Sequence, residues 1–542
     1  MFKVDWWRDA VFYQIYPRSF KDHNDDGVGD LKGIVEKLDY LSWLGIDVVW
    51  LSPFFKSPME DFGYDVSDYK DVDPLFGTIN DFDELVDEIH RRGMRIIIDQ
   101  VYNHTSDKHP WFVESKSSRN NPKADWYIWK DPKPNGDPPN NWISLFSGEN
   151  PQSAWEWNDN RKQYYLHLFG REQPDLNWQN DEVKREIFDS MKFWLDRGVD
   201  GFRFDAASHY YKDPSFQDAL KGPQVKKTLF HSARDEYYWD RFSGRPETLL
   251  AVEEIKRFMN SYGDKVSIGE ITSDMGLCLY LIFTISGRFD LAFNIDFMEK
   301  LSLNAKKVRE LLENVNTFFG ERAWPSYVLG NHDNYRIINR LTNGMKVGED
   351  EKRLIAKLAA TLLLTVRGTP FVYYGEEIGM EDTEVPYDKI VDPWGKALWP
   401  RKGRDVCRTP MQWNGEKHAG FSEVTPWLPI NSNKAHVNVE NEKKDPRSIL
   451  NFYRSLLKLR KSHVALRRGA MHFIDAPDDI ICYTRNISKE EIAVLLNFGS
   501  APKRVNLSTP GKVLLGSHRG IGEDFYDQDV EPFESVVIDV SK

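Results

Sequence analysis

The chain has 542 residues, 40% hydrophobic and 29% charged, enough apolar material for one large domain with one or two smaller ones and too much for a disordered chain. Its formal net charge of -12 is spread along the sequence, which argues against a nucleic-acid surface and for solubility. The 3 cysteines, Cys278, Cys407 and Cys482, match no metal-ligand spacing and no disulfide framework; with an N-terminus lacking the basic start and apolar core of a signal peptide, they point to the cytoplasm.

In chain order, "AVFYQIY" (10–16) predicts a buried strand. "LKGIVEKLDYLSWLG" follows with apolar residues at Leu31, Ile34, Leu38, Leu41 and Leu44, a helical period closed by Gly45. "IDVVWLSP" then reads as a strand, "NDFDELVDEIHRRG" as a helix with Phe82, Leu85, Val86 and Ile89 on its apolar face, and "MRIIIDQV" as a strand. Strands that are apolar throughout and alternate with helices belong to a parallel sheet covered by helices. The alternation resumes at "NDEVKREIFDSMKFWLDRG", with Asn180 as cap and Gly198 as stop. The strands "VDGFRFD", "KVSIGE", "FDLAFNID", "YVLGNHD" and "TPFVYYGEE" complete a count of eight, which predicts an α/β fold of the (β/α)8 (TIM) barrel type. "LIAKLAATLLLTV" (354–366) contains Lys357 and is too short to span a membrane, so it reads as a core helix.

Residues 104–174 interrupt the pattern with a segment rich in Pro, Asn, Asp, Ser and Trp, read as a subdomain inserted after the third strand. The barrel then comprises 1–103 and 175–468. From 469 to 542 short alternating runs, "DIICYTR", "EIAVLLNF", "GKVLLG" and "ESVVIDV", predict a separate antiparallel β domain.

Polar residues recur at strand ends: Asp99, Asn103 and His104 after the third, Arg203 and Asp205 on the fourth, Glu270 on the fifth, His332 and Asp333 on the seventh. A barrel gathers such ends around one mouth. In "GFRFDAA" (201–207), Arg203 and Asp205 leave one strand face, an arrangement that a buried ion pair alone would satisfy. Three acidic groups converging from three strands point further, to chemistry, because like charges brought together repel.

The strings "AVFYQIYPRSF", "GYDVSDY", "DQVYNH", "QPDLNW", "GFRFDA", "IGE", "GNHD", "YYGEEIG" and "RTPMQW", in this order over essentially the whole chain, resemble the α-amylase superfamily of retaining glycoside hydrolases (family 13), and within it the α-glucosidase and oligo-1,6-glucosidase branch. The resemblance implies a barrel, an inserted domain and a terminal β domain. It implies Asp205 as nucleophile, Glu270 as general acid/base and Asp333 as third carboxylate. A retaining mechanism needs one ionised and one protonated carboxyl, and Arg203 beside Asp205 is expected to keep that carboxylate ionised. Asp61, Tyr64, Asp99, His104, His332, Arg404 and Arg408 are expected around the non-reducing glucose, with Tyr64 stacked on it. For His104 a capping role, and for Tyr64 a core role, are the alternatives.

In "DHNDDGVGD", oxygen donors from Asp22, Asn24, Asp26, the Val28 carbonyl and Asp30 alternate about Gly27, much like an EF-hand loop that lacks its closing glutamate. The alternative is a polar exposed turn. The resemblance implies a structural calcium there, with magnesium as the second candidate, and no organic cofactor. The expected activity is exo-acting release of glucose from short α-glucosides such as maltose, maltooligosaccharides and sucrose, with transglucosylation, by a monomer or homodimer. Small Ala206 after the nucleophile favours α-1,4 linkages in this branch, where valine accompanies α-1,6. An oligo-1,6-glucosidase, a sucrose hydrolase or a sucrose isomerase is the alternative. A carboxylate-free scaffold role is disfavoured because all three carboxylates remain.

Overall fold

The computed structural model describes residues 5–147, 151–222, 238–272, 276–285, 287–399 and 403–541. Eight strands lie in one parallel sheet: β1 (Phe12–Ile15), β2 (Val48–Leu51), β3 (Arg95–Val101), β4 (Gly201–Asp205), β5 (Val266–Gly269), β6 (Leu291–Ala292), β7 (Ser326–Val328) and β8 (Thr369–Tyr373). Their spatial order is β6-β5-β4-β3-β2-β1-β8-β7. Between the two end strands the Ser326 hydroxyl donates to the Ala292 carbonyl at 2.7 Å, so a side chain completes the ring. Every expected strand is present in shorter form.

The barrel interior is packed with large side chains. Phe12 lies against Phe371 with ring centroids 4.5 Å apart, and Trp50 against Phe293 at 5.2 Å. Outside, several helices start where a short polar side chain satisfies free amides. Asp30 accepts from the Gly33 amide to open α1 (Leu31–Leu44), which ends at Gly45 with φ 103°, a left-handed geometry glycine adopts without strain. Thr78 and Asp81 form a reciprocal capping box on α2 (Ile79–Arg91), and Asn180 caps α3 (Asp181–Leu195). The apolar segment expected as a core helix lies in α4 (Glu349–Thr365), whose Lys357 ammonium donates to the Arg447 carbonyl at 2.6 Å. Among the described residues, no helix is long and apolar enough to cross a membrane.

The insertion after β3 carries a three-stranded antiparallel sheet of Trp129–Lys130, Gln163–Leu166 and Trp155–Asn158. Its two ends meet where the Leu176 amide donates to the Asn103 carbonyl at 2.9 Å. The C-terminal unit is a six-stranded antiparallel sheet, β9 (Ala470–Ile474), β10 (Ile480–Ile487), β11 (Glu490–Asn497), β12 (Lys503–Gly516), β13 (Asp524–Val530) and β14 (Ser535–Asp539), ordered β9-β10-β11-β14-β12-β13.

β4 lies close to β5: a Cβ on Gly201 would stand 2.2 Å from the Val266 carbonyl oxygen and 2.5 Å from its Cγ1. Gly201→Ala is therefore expected to destabilise the protein by about 1–3 kcal/mol in a urea melt. An unchanged midpoint would mean that β4 and β5 separate freely.

Candidate active site

Strand register decides which polar groups meet. Asp99 on β3 lies opposite Arg203 on β4, and Glu270 follows β5, with its amide donating to the Phe204 carbonyl at 2.9 Å. Buried Arg203 then reaches three carboxyls. Its Nη1 is 2.6 Å from Asp99 Oδ1 and 2.7 Å from Asp205 Oδ1, while Nη2 is 2.9 Å from Glu270 Oε2. Asp99 uses its other oxygen on Trp50 Nε1 at 3.1 Å and the Tyr64 hydroxyl at 3.3 Å. Burial, resisted by Arg203, lifts the Asp99 carboxyl to about 6.

Asp205 is buried and hydrogen-bonded to Glu270. Burial and then the neighbouring Glu270 and Asp99 charges push its carboxyl well above the usual range, although Arg203 pulls it down. Both carboxyls are held by the one guanidinium of Arg203, Asp205 through Nη1 and Glu270 through Nη2.

A second guanidinium collects a second trio. Arg404 Nη2 is 2.7 Å from both Asp61 Oδ1 and Asp392 Oδ1, and Nη1 is 3.3 Å from Asp333 Oδ1. Arg408 Nη2 approaches Asp333 at 3.0 Å, and His332 Nε2 at 3.3 Å. Desolvation opposes ionisation of Asp333, but His332, Arg404 and Arg408 together hold its carboxyl well below the usual range. Asp61 goes the other way, raised by burial despite Arg404.

These groups surround a cavity of about 170 Å³. Nine of the twelve residues expected from sequence line it: Asp61, Tyr64, His104, Asp205, Ala206, Glu270, His332, Asp333 and Arg404. Asp99, Arg203 and Arg408 stand behind its wall and hold the lining residues. Tyr64 packs parallel to His332, with centroids 5.3 Å apart and planes 1° from parallel. Gln14 Nε2 lies 2.8 Å from His332 Nδ1, which assigns the ring proton to Nε2, facing Asp333. His104 Nε2 is 3.1 Å from the Tyr64 carbonyl.

Ala206 turns the chain out of β4 with φ 44° and ψ 35°, a left-handed conformation that L side chains seldom take. That turn aims its amide at Glu270 Oε2, 3.0 Å away. Oε2 thus receives both Ala206 N–H and Arg203.

Sequence reasoning missed Asp392, Gln173 and the aromatic wall. Gln173 Nε2 donates to Asp61 Oδ2 at 3.1 Å, and its place at the head of "QPDLN" was the available signal. Phe146 and Trp394 line the cavity and stack at 5.9 Å, Phe146 on a loop and Trp394 in the six-residue helix Pro393–Leu398, too short to leave a periodic pattern. The segments after β4 and after Glu270, 208–224 and 271–290, are partly covered: residues 223–224, 273–275 and 286 lie outside the described residues.

In the Asp22–Asp30 loop the polar side chains bind its own amides. Asp22 accepts from Asp25 and Gly27, both at 2.8 Å, Asn24 from Asp26 at 3.1 Å, Asp26 from Val28 at 2.8 Å, and Asp30 from His23 at 2.8 Å and Gly33 at 2.7 Å. Among the described residues no group of three or more His, Cys, Asp or Glu is placed to hold a metal. The donor set here is of another kind, mixing carboxylates with an amide and a carbonyl, all oxygens of the type calcium takes. Burial raises the Asp30 carboxyl; backbone amides counter this, and the Asp22 charge adds to it.

Two carboxyls on one buried arginine and a third carboxylate held by two more, at the mouth of a (β/α)8 barrel, define a glycoside hydrolase site. The chain belongs to the α-amylase family: the family model described as alpha amylase, catalytic domain, matches residues 14–469. It is 41% identical over 540 residues to a probable alpha-glucosidase of Rhizobium meliloti, covering 97% of this chain and 95% of that one. It is 40% identical over 532 residues to an oligo-1,6-glucosidase of Parageobacillus thermoglucosidasius, covering 91% and 90%. Among solved structures, an alpha-glucosyl transfer enzyme, XgtA, is similar with a TM-score of 0.92 and 38% identity, covering 99% of each chain.

Burial lowers four imidazoles, His104 and His209 to about 4, His109 and His332 to about 3. Each is neutral when folded but takes a proton below about 6.5 when unfolded, so its contribution to stability is complete above that pH and is lost as pH falls through its folded value. His109 caps the helix Pro110–Ser115 through Nδ1, a role asparagine can fill. His109→Asn is expected to flatten the loss of stability between pH 6.5 and 4.5 by about 1 kcal/mol per pH unit relative to the parent. Parallel stability curves for the two proteins would contradict this.

Proposed function

We propose that the protein is an exo-acting retaining α-glucosidase that releases glucose from the non-reducing ends of short α-glucosides, preferring α-1,4 linkages. The observation that supports this most is that Asp205 and Glu270 meet on one buried guanidinium, Arg203, and both line a small cavity. A retaining reaction requires two carboxyls side by side, one to attack and one to give a proton. On substrate binding the proton resides on Glu270. Asp205 attacks the anomeric carbon while Glu270 protonates the leaving glycosidic oxygen, and a glucosyl-Asp205 ester forms. Glu270, now ionised, takes a proton from an incoming water, which opens the ester with the original anomeric configuration.

Asp333, kept ionised by two arginines, grips sugar hydroxyls as the ring flattens and positive charge develops at the anomeric carbon. Asp61 and Arg404 bind the outer hydroxyls and bar a longer chain on that side. Any well-placed hydroxyl can replace water in the second step, so transglucosylation accompanies hydrolysis. The similarity to an alpha-glucosyl transfer enzyme supports this. An oligo-1,6-glucosidase remains the second reading, supported by the Parageobacillus relative; sucrose hydrolysis or isomerisation is the third. The free cysteines Cys278, Cys407 and Cys482 support a reducing compartment such as the cytoplasm.

Asp205→Asn and Glu270→Gln are each expected to lower maltose cleavage by several orders of magnitude with circular dichroism unchanged; near-normal rates would remove both assignments.

Linkage preference is read at Ala206. Two added methyls would narrow the acceptor space for an α-1,4-linked ring, whereas the extra rotatable bond of an α-1,6 linkage lets that ring swing aside. The parent is expected to prefer maltose over isomaltose in kcat/KM, and Ala206→Val to move the ratio towards isomaltose by roughly 10- to 200-fold. Valine must also enter a left-handed backbone, so total activity is expected to fall. A parent preference for isomaltose would favour the oligo-1,6-glucosidase reading, and a predominant rearranged disaccharide from sucrose the isomerase.

Asp22, Asn24, Asp26, the Val28 carbonyl and Asp30 would hold a structural calcium, which would relieve the repulsion between Asp22 and Asp30. Calcium is expected to raise the melting temperature of chelator-treated protein, and magnesium to do so less. No response to either ion would dismiss the site.

A further inference from the structure

We infer that a groove between the inserted subdomain and the loop after β4, separate from the catalytic cavity, is a second binding site for short α-glucosides. It rests on the substrate class proposed above. The groove encloses about 230 Å³, more than the catalytic cavity. A pyranose offers an apolar C–H face and a rim of hydroxyls, so it needs a fixed aromatic plane with free donors and acceptors beside it.

The groove has both. Tyr211 is half-buried, and its hydroxyl donates to the Trp178 carbonyl at 2.7 Å, which fixes the ring before any ligand arrives and reduces the entropy lost on stacking. Gln179 is exposed, and its carboxamide makes no hydrogen bond among the described residues. The Lys130 ammonium lies 4.0 Å from the centre of the Phe216 ring and has no ion-pair partner among the described residues. Asp125, also lining the groove, is exposed and makes no ion pair there. An ammonium and a carboxylate both left open favour a neutral, hydroxyl-rich ligand over a phosphorylated one.

A buried relay of contacts links the floor of the groove to the wall of the catalytic cavity. Lys212 Nζ is 2.6 Å from Asp175 Oδ2 and 2.9 Å from Asn103 Oδ1, and Asn103 in turn contacts His104 Nδ1 at 3.1 Å. A sugar in the groove therefore sits one buried ion pair from the glucose pocket.

The test is calorimetric titration of maltotriose into the Asp205→Asn protein, alone and saturated with deoxynojirimycin, an iminosugar that occupies a glucosyl pocket. Two binding events are expected alone and one with the iminosugar. The remaining event should weaken at least tenfold in Tyr211→Ala and in Gln179→Ala, while hydrolysis of p-nitrophenyl α-glucoside by the same variants with Asp205 restored stays unchanged. Gln179 is exposed, so its variant guards against a folding defect in Tyr211→Ala. Absence of binding in the presence of the iminosugar would overturn the groove, as would binding that neither substitution weakens. Failure of the catalytic reading shows elsewhere, as loss of the event that the iminosugar displaces.

Discussion

Two buried guanidiniums make this site possible. A barrel mouth that gathers six carboxyls would expel most of their charge, because a carboxylate removed from water without a partner is several kcal/mol less stable. Arg203 and Arg404 each bind three. What differs between them is what stands around the carboxyls. Around Arg203 one cation serves three acids in a buried place, so Asp205 and Asp99 rise. Around Asp333 a second arginine and an imidazole N–H add to Arg404, so that acid falls. The same kinds of side chain thus raise the Asp205 and Asp99 carboxyls and lower that of Asp333 within one site.

The backbone serves this arrangement at one unusual point. Leaving β4 through a left-handed residue lets the chain turn back a donor onto Glu270 directly after presenting Asp205. Asp205 and Glu270 are therefore fixed by adjacent peptide units, and any substitution at Ala206 acts on both the shape of the cavity and the hold on Glu270.

Much of the fold was legible because strand and helix leave different periods in the sequence. The helices around the barrel announced themselves by spacing and caps, as at Asn180 and Gly45. β9 and β13 were not legible: they are the edge strands of the terminal sheet, where one ladder is absent and polar residues such as His472 and Gln528 interrupt the alternation. In the site, motif strings located the lining carboxyls and both arginines. They could not say that Asp99 supports from behind while Asp61 faces the cavity, since that depends on depth within a strand and on cross-strand register. Asp392 caps, and Trp394 belongs to, the six-residue helix Pro393–Leu398 after β8, too short to leave a period that can be read, and only the folded contacts reveal them.

The hydroxyl bridge from Ser326 to Ala292 gives the barrel a seam. Elsewhere neighbouring strands are laced by peptide hydrogen bonds, whereas here β6, two residues long, meets β7 through a side chain. The chain following β6 supplies Ile295 and Met298 to the catalytic cavity, and the chain following β7 supplies Asn331, Asp333 and Asn334. The Arg203 cluster, by contrast, stands on the fully laced strands β3, β4 and β5. The molecule therefore keeps Asp205 and Glu270 on the fully laced side of the ring and builds the opposite wall of the cavity across the seam, so a change of residue in that wall reshapes the cavity without touching the strands that align the two carboxyls.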